Sequence, residues 1–262
     1  DVTGGCCAGR DPGEMPAPEI LVEHELVRLF DDQIAAVQRG DHGRLQAIPP
    51  FFWVASGRAT IHGVLTTAQK LWGEAVFMDM VAEPKKCMAM IEWIAEAFIV
   101  LCRHFAEAAG IAITSVHVGE CSCCMVGPEQ VEGFIVPVTA RIGEVLGPVR
   151  LHSCGQSTHL IESFGKIAGL RSLDLGGQTC VGKVREVLGR GMAISIAPEP
   201  GLMSAESTEP ILEWARDVVE ENAGGDLQFL YHLEPSYNIE TVVALTDFVK
   251  GLKGFRDARS LW

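Results

Sequence analysis

From Ile111 onward the apolar positions follow two alternating patterns: short β-branched runs, and stretches of roughly 10–20 residues with apolar side chains at helical spacing. The runs "IAITSVHV", "VRLHSC", "LRSLDL", "MAISIA" and "LQFLYHL" predict strands. Between and after them, helices are predicted from Pro128 to Leu146, about Thr158 to Ala168, about Gln178 to Leu188, about Glu206 to Asn222 and about Asn238 to Leu252. Strands separated by helices indicate parallel βαβ units.

Upstream the pattern is more helical. After a Gly/Pro-rich entry, Ile20, Val27, Phe30, Ile34 and Val37 mark a helix from about Glu19 to Arg39, closed by "RGDHG". "IPPFFWVASG" reads as a buried strand, bringing the strands to six. "LTTAQKLWGEAVFMDM" reads as a helix with Thr66 or Thr67 at its N-cap. Pro84 opens a long amphipathic helix that ends at Gly110, and Glu92 and Glu96 inside it argue against a membrane span.

Six strands suit either a doubly wound sheet or an eight-stranded barrel. The strand ends "HVGECSCC", "LHSCG", "LDLGG", "IAPEP" and "YHLEP" favour the barrel, because barrel strands deliver such residues to one mouth. The expected fold is therefore an α/β, (β/α)8 TIM barrel formed by residues 1–262 as one domain. The abrupt start "DVTGGCC", without an initiator Met, suggests that N-terminal elements of the barrel lie upstream.

Composition narrows the function. With 34 acidic against 21 basic residues and a net charge of −13, the chain offers no Lys/Arg cluster to track a phosphate backbone, so no nucleic acid partner is expected. The first residues have no basic, apolar leader, which makes the cytoplasm the simplest address. Nine cysteines in a chain large enough to fold without staples point to metal binding or thiol chemistry.

The sharpest chemical signal is His152-x-Cys154-Gly155. Residues two apart on a strand share a face, and thiolate with imidazole suits zinc. A catalytic zinc site needs a third protein donor from another strand end. His232 in "LYHLEPS" is the leading choice, with Cys121, Cys123, Cys180 and Asp174 as alternatives. Cys121-Ser122-Cys123-Cys124 is formally a C-x-x-C, but it leads no thioredoxin-like unit and has no second C-x-x-C pair. His62, His104 and His117 read as hydrogen-bonded or surface histidines, and Cys87 and Cys102 as small apolar residues of one helix.

Three segments carry a family resemblance: "TIHGVLTTAQKLWGEAVFMDMVAEPKK", "VGPEQVEGFIVPVTARIGEVLGPVRLHSCG" and "HLEPSYNIETVVAL". With them the chain resembles the uroporphyrinogen decarboxylase superfamily of (β/α)8 barrels, over about residues 48–252. Its His-x-Cys-Gly is similar to that of the zinc-dependent corrinoid branch, the methylcobamide:coenzyme M methyltransferases. That resemblance implies Zn²⁺ held by His152, Cys154 and a later residue. The branch has a cysteine where this chain offers His232, and imidazole is an ordinary replacement. It further implies a corrinoid protein as partner and a small-molecule thiol or other methyl acceptor. Asp174, placed to hydrogen-bond a ligand or approach the metal, and Glu120, in an "ECSCC" run that departs from the branch's pattern and could complete or modify the site, are the candidate catalytic residues. A metal-free decarboxylase using Arg58, and a non-catalytic metal- or corrinoid-binding protein, are the competing readings.

Overall fold

The computed structural model describes residues 5–40 and 45–254. Its centre is one sheet of six parallel strands in chain order: β1 (Arg58–His62), β2 (Ser115–Gly119), β3 (Val149–Ser153), β4 (Leu170–Gly176), β5 (Ala193–Ala197) and β6 (Leu227–Phe229). Among the described residues, β1 and β6 each pair with one neighbour only. Parallel neighbours joined by helical crossovers make this a partial (β/α)8 barrel, as the strand pattern predicts.

Helices α1 (Glu25–Gly40), α2 (Val64–Trp72), α3 (Ala75–Ala82) and α4 (Pro84–Ala109) occupy the first half of the chain. The crossover after β2 runs through α5 (Pro128–Gln130), a π segment (Val131–Ile135) and α6 (Val136–Leu146). Pro137 explains the π segment: it has no N–H to give to the carbonyl four residues back, so the helix widens there. Next come α7 (Ile161–Phe164), α8 (Val181–Leu188), α9 (Pro200–Met203), α10 (Glu209–Asn222) and α11 (Ile239–Lys250). α4 begins with Pro84 and stops at Gly110, whose φ of 67° is left-handed, as the sequence signals require.

Two expectations need correction. The "IPPFFWVASG" run is not a strand; it contributes one isolated bridge, Phe52 to Ala59, and the strand is the next segment, "RATIH". Pro49 and Pro50 supply no N–H to a ladder, whereas Arg58–His62 alternates in burial as a strand should. The predicted helix over "LTTAQKLWGEAVFMDM" is also two helices, broken at Gly73, and Gly63 rather than a threonine holds the N-cap. The "RGDHG" stop lies partly outside the described residues.

The faces of the sheet differ chemically. Ala59, Ile61, Val116, Val118, Val149, Leu151, Leu173, Leu175, Ile194 and Ile196 point outward and are buried in one core. Burying each large side chain of this kind stabilises the fold by about 1.5–3 kcal/mol. A one-residue slip of β3 would bury Arg150 and His152 and expose Val149 and Leu151, so the register is strongly fixed. The opposite positions are polar. One row runs Thr60, His117, Arg150, Ser172; the next runs Gly119, His152, Asp174, Ser195, Gln228. Barrel interiors are ordinarily packed with branched apolar side chains, so this lumen is built to receive something polar. No helix among the described residues is long and apolar enough to cross a membrane.

Candidate metal centre

Strand register assembles the site. Gly119 of β2 stands beside His152 of β3, and His152 stands beside Asp174 of β4. Past Gly119 the chain turns through a short 3-10 helix, Cys121–Met125, and past Ser153 it turns at Gly155, whose φ is +74°. The side chains that follow each strand therefore rise together at the mouth. Cys121, His152 and Cys154 each present a ligand atom there, and these atoms all lie within 4.8 Å of one another.

Asp174 anchors the group from the next strand. Its Oδ2 lies 3.2 Å from an Arg150 terminal nitrogen and 3.3 Å from His152 Nδ1. The second contact lacks hydrogen-bond geometry, leaving Nδ1 a buried polar atom without a hydrogen-bond partner. Burial opposes ionisation of Asp174, yet His152 and Arg150 hold its carboxyl below the usual carboxylate range. Burial likewise opposes a charged His152, but Asp174 and Cys154 outweigh it and lift the imidazole to about 9. Hydrogen bonds from Cys121 and then His152 bring the Cys154 thiol down to about 4. Cys121 moves upward because it holds the proton of that shared bond. Both shifts favour the imidazolium form of His152 and the thiolate form of Cys154.

The donor set fits a zinc ion. Two sulfurs and one imidazole are ordinary zinc ligands, and donor atoms all within 4.8 Å of one another are close enough to share one ion. A carboxylate behind the histidine is the usual support of a metal-bound imidazole, and three protein donors leave a fourth position for substrate.

The other sequence candidates are placed differently. His232 lies in the exposed segment after β6, which is only three residues long, and it is not in the cluster. Glu120 is fully buried, and its carboxylate accepts the backbone N–H groups of Leu65 and Thr66, each at 3.3 Å, and the Thr66 hydroxyl at 3.4 Å. It caps the start of α2, and burial raises its carboxyl to about 7. Gly63 makes the approach possible, since a Cβ there would fall 1.9 Å from the Glu120 carboxyl carbon. Cys123 is buried, and Cys180 caps α8 by accepting the Lys183 N–H.

Arg150 escaped the sequence reading, and His117, read there as a hydrogen-bonded or surface histidine, stands in the polar row of the lumen. The His117 ring lies 6.0 Å from that of His152 and 6.5 Å from that of Trp53, and burial pulls its pKa down to about 4. Arg150 stands one strand position pair below His152, and Arg58 on β1 shares its electrostatic surroundings with Asp174. Strand parity alone marks Arg150 as facing the same way as His152. A cavity of about 1150 Å³ reaches this face, lined by Arg150, Ser172, Ser195, Gln228, Tyr231 and Lys250 among others.

A parallel α/β barrel sheet with a polar lumen and a thiol–imidazole cluster at its mouth defines a barrel protein with three donors that could hold a metal ion. The family model for Uroporphyrinogen decarboxylase (URO-D) matches residues 59–252; the chain belongs to that family. Among solved structures, a methyltransferase from Methanosarcina mazei is similar, with a TM-score of 0.67 and 17% identity, covering 95% of this chain and 71% of that chain. At that identity the likeness is one of fold. No curated protein sequence matches the chain.

Proposed function

We propose that the chain is a zinc-dependent methyltransferase, moving a methyl group between a corrinoid and a thiol or similar acceptor. The carrying observation is the Cys121, His152 and Cys154 cluster at the barrel mouth. The methyltransferase title of the solved neighbour agrees with this reading. Bound zinc would hold an acceptor thiol as its thiolate at neutral pH, where a thiol of pKa about 8.5 is otherwise mostly protonated. Cys121, His152 and Cys154 would hold the ion, and Asp174 would orient His152 through Nδ1.

A bound corrinoid would supply the methyl group and retain the cobalt–carbon electron pair as the carbon–sulfur bond forms, while Cys121, His152 and Cys154 would keep the ion that presents the acceptor sulfur at the barrel mouth. The corrinoid, free or carried on a partner protein, approaches over the mouth. The polar rows of the lumen, from Arg150 and His117 to Ser195 and Gln228, receive the polar part of the acceptor. Transfer from methylcobalamin to a panel of thiols tests the proposal. Turnover by zinc-loaded protein, lost on chelation and restored by zinc, is expected; equal activity in metal-stripped protein contradicts it.

Arg58 and Arg150 favour one competing reading, a metal-free decarboxylase that grips substrate carboxylates inside the lumen. Carbon dioxide release from a carboxylated tetrapyrrole by the metal-stripped chain would select that reading.

A further inference from the structure

The metal cluster accounts for two of the four cysteines at the mouth. Cys123 is buried, but Cys124 is partly exposed, and among the described residues its sulfur bonds to the Cys121 carbonyl oxygen within this corner. Cys121 and Cys124 stand three apart on a 3-10 turn, where side chains at that spacing eclipse one another. Both thiols thus rise from the same side of the turn. The Cys124 sulfur lies 3.2 Å from the Cys121 carbonyl oxygen, and the Cys154 sulfur lies 4.0 Å from the same oxygen. Cys124 also packs over Gly155, the residue after Cys154: a Cβ there would sit 3.5 Å from its sulfur. At that distance the turn at Gly155 and the Cys124 sulfur are in ordinary van der Waals contact, which places this thiol against the residue that follows Cys154.

We propose that Cys124 is a fourth, exchangeable ligand of the metal, completing a Cys3His set from Cys121-x-x-Cys124 and His152-x-Cys154. The inference rests on the zinc reading above. C-x-x-C is an established zinc-ligand spacing, and His152-x-Cys154 on the neighbouring strand supplies the second pair that the turn alone lacks. Cys124 lies outside the tight trio and is the ligand suited to leave. With zinc bound, the acceptor thiol would give its proton to the departing Cys124 sulfur and take its place; one metal–sulfur bond would break and one form, leaving the charge of the centre unchanged. Cys124 thereby closes the fourth position against water until a thiol arrives.

Zinc-edge X-ray absorption on the full chain tests this, with one equivalent of Zn²⁺ and a phosphine reductant so that no added thiol competes. Wild type should show three sulfurs and one imidazole, and Cys124→Ser two sulfurs and one imidazole. Adding 2-mercaptoethanol should leave the wild-type count at three and raise the variant from two to three. In Co²⁺-loaded protein, Cys124→Ser and Cys124→Ala should each lose about a third of the thiolate-to-cobalt absorption, with far-UV circular dichroism showing an unchanged fold. Two sulfurs in wild type, unaltered in Cys124→Ser, would overturn the inference and leave the three-ligand zinc reading standing. A wild-type chain that retains no zinc would overturn both.

Discussion

The ends of β3 and β6 carry similar promise and meet different fates. Each brings a histidine past an apolar run, His152 in "VRLHSC" and His232 in "LQFLYHL". β3 pairs with β2 over Val149 to His152 and with β4 over Val149 to Ser153, so His152 is pinned between Gly119 and Asp174, with one thiol just past the end of β2 and another just past its own strand. β6 is three residues long and pairs only with β5, and the chain leaves the sheet before His232, which stays exposed. A donor becomes part of a site when the sheet holds its backbone, whatever its side-chain chemistry.

Substitutions at the two ends should separate them. The largest effect is expected from His152→Ala or Cys154→Ala, each lowering zinc affinity by about a hundredfold or more and abolishing methyl transfer. Competition with a chromophoric chelator measures this, and wild-type affinity in either variant would break the comparison. Asp174→Asn keeps the shape but removes the charge facing His152, so a loss of about 10–100-fold in zinc affinity is expected. An effect no larger than that of an exposed carboxylate would remove Asp174 from the site.

Glu120 sharpens the contrast on the stability side. Its carboxyl ionises near 4.5 when unfolded and near about 7 in the folded chain. Between those values the native state holds the extra proton, so stability falls as pH rises, by at most about 3 kcal/mol. Glu120→Gln should flatten this slope in urea unfolding followed from about pH 5 to about pH 8; a parallel profile would contradict the buried cap. The smallest effect belongs to His232→Ala, whose zinc affinity should stay within about twofold of wild type. A large loss there would move the third ligand back to β6.

Cysteines give the same lesson from inside the chain. Cys87 and Cys102 lie in α4, where burial pushes both thiols up to about 12. Cys154, beside His152, is held near about 4. Helical spacing in "MAMIEWIAEAFIVLCRHF" shows that Cys102 packs as an apolar residue, and "LHSCG" shows that Cys154 shares a face with His152. Both follow from periodicity along one element. The strand–helix alternation, the long helix with its Pro84 and Gly110 limits, and the polarity of His152 and Cys154 were legible on the same ground. The third donor was not, because it depends on which strand ends meet and how far each strand extends. The hydrogen bonds of Glu120 were illegible for a related reason: its partner, the start of α2, lies more than fifty residues away in sequence, and nothing local shows a carboxylate turned toward it.

Zinc titration by calorimetry at pH 7, in buffers of differing ionisation enthalpy, tests the central claim most directly. Metal ligands bind deprotonated. Cys154 is already a thiolate at this pH, whereas His152 and Cys121 still hold their protons. One zinc per chain should bind with release of about two protons, or about three if Cys124 joins, and affinity should climb with pH through neutrality. Stoichiometric binding that survives a Cys121→Ser, Cys154→Ser double variant, or no binding by wild type, would contradict a metal centre at the ends of β2 and β3.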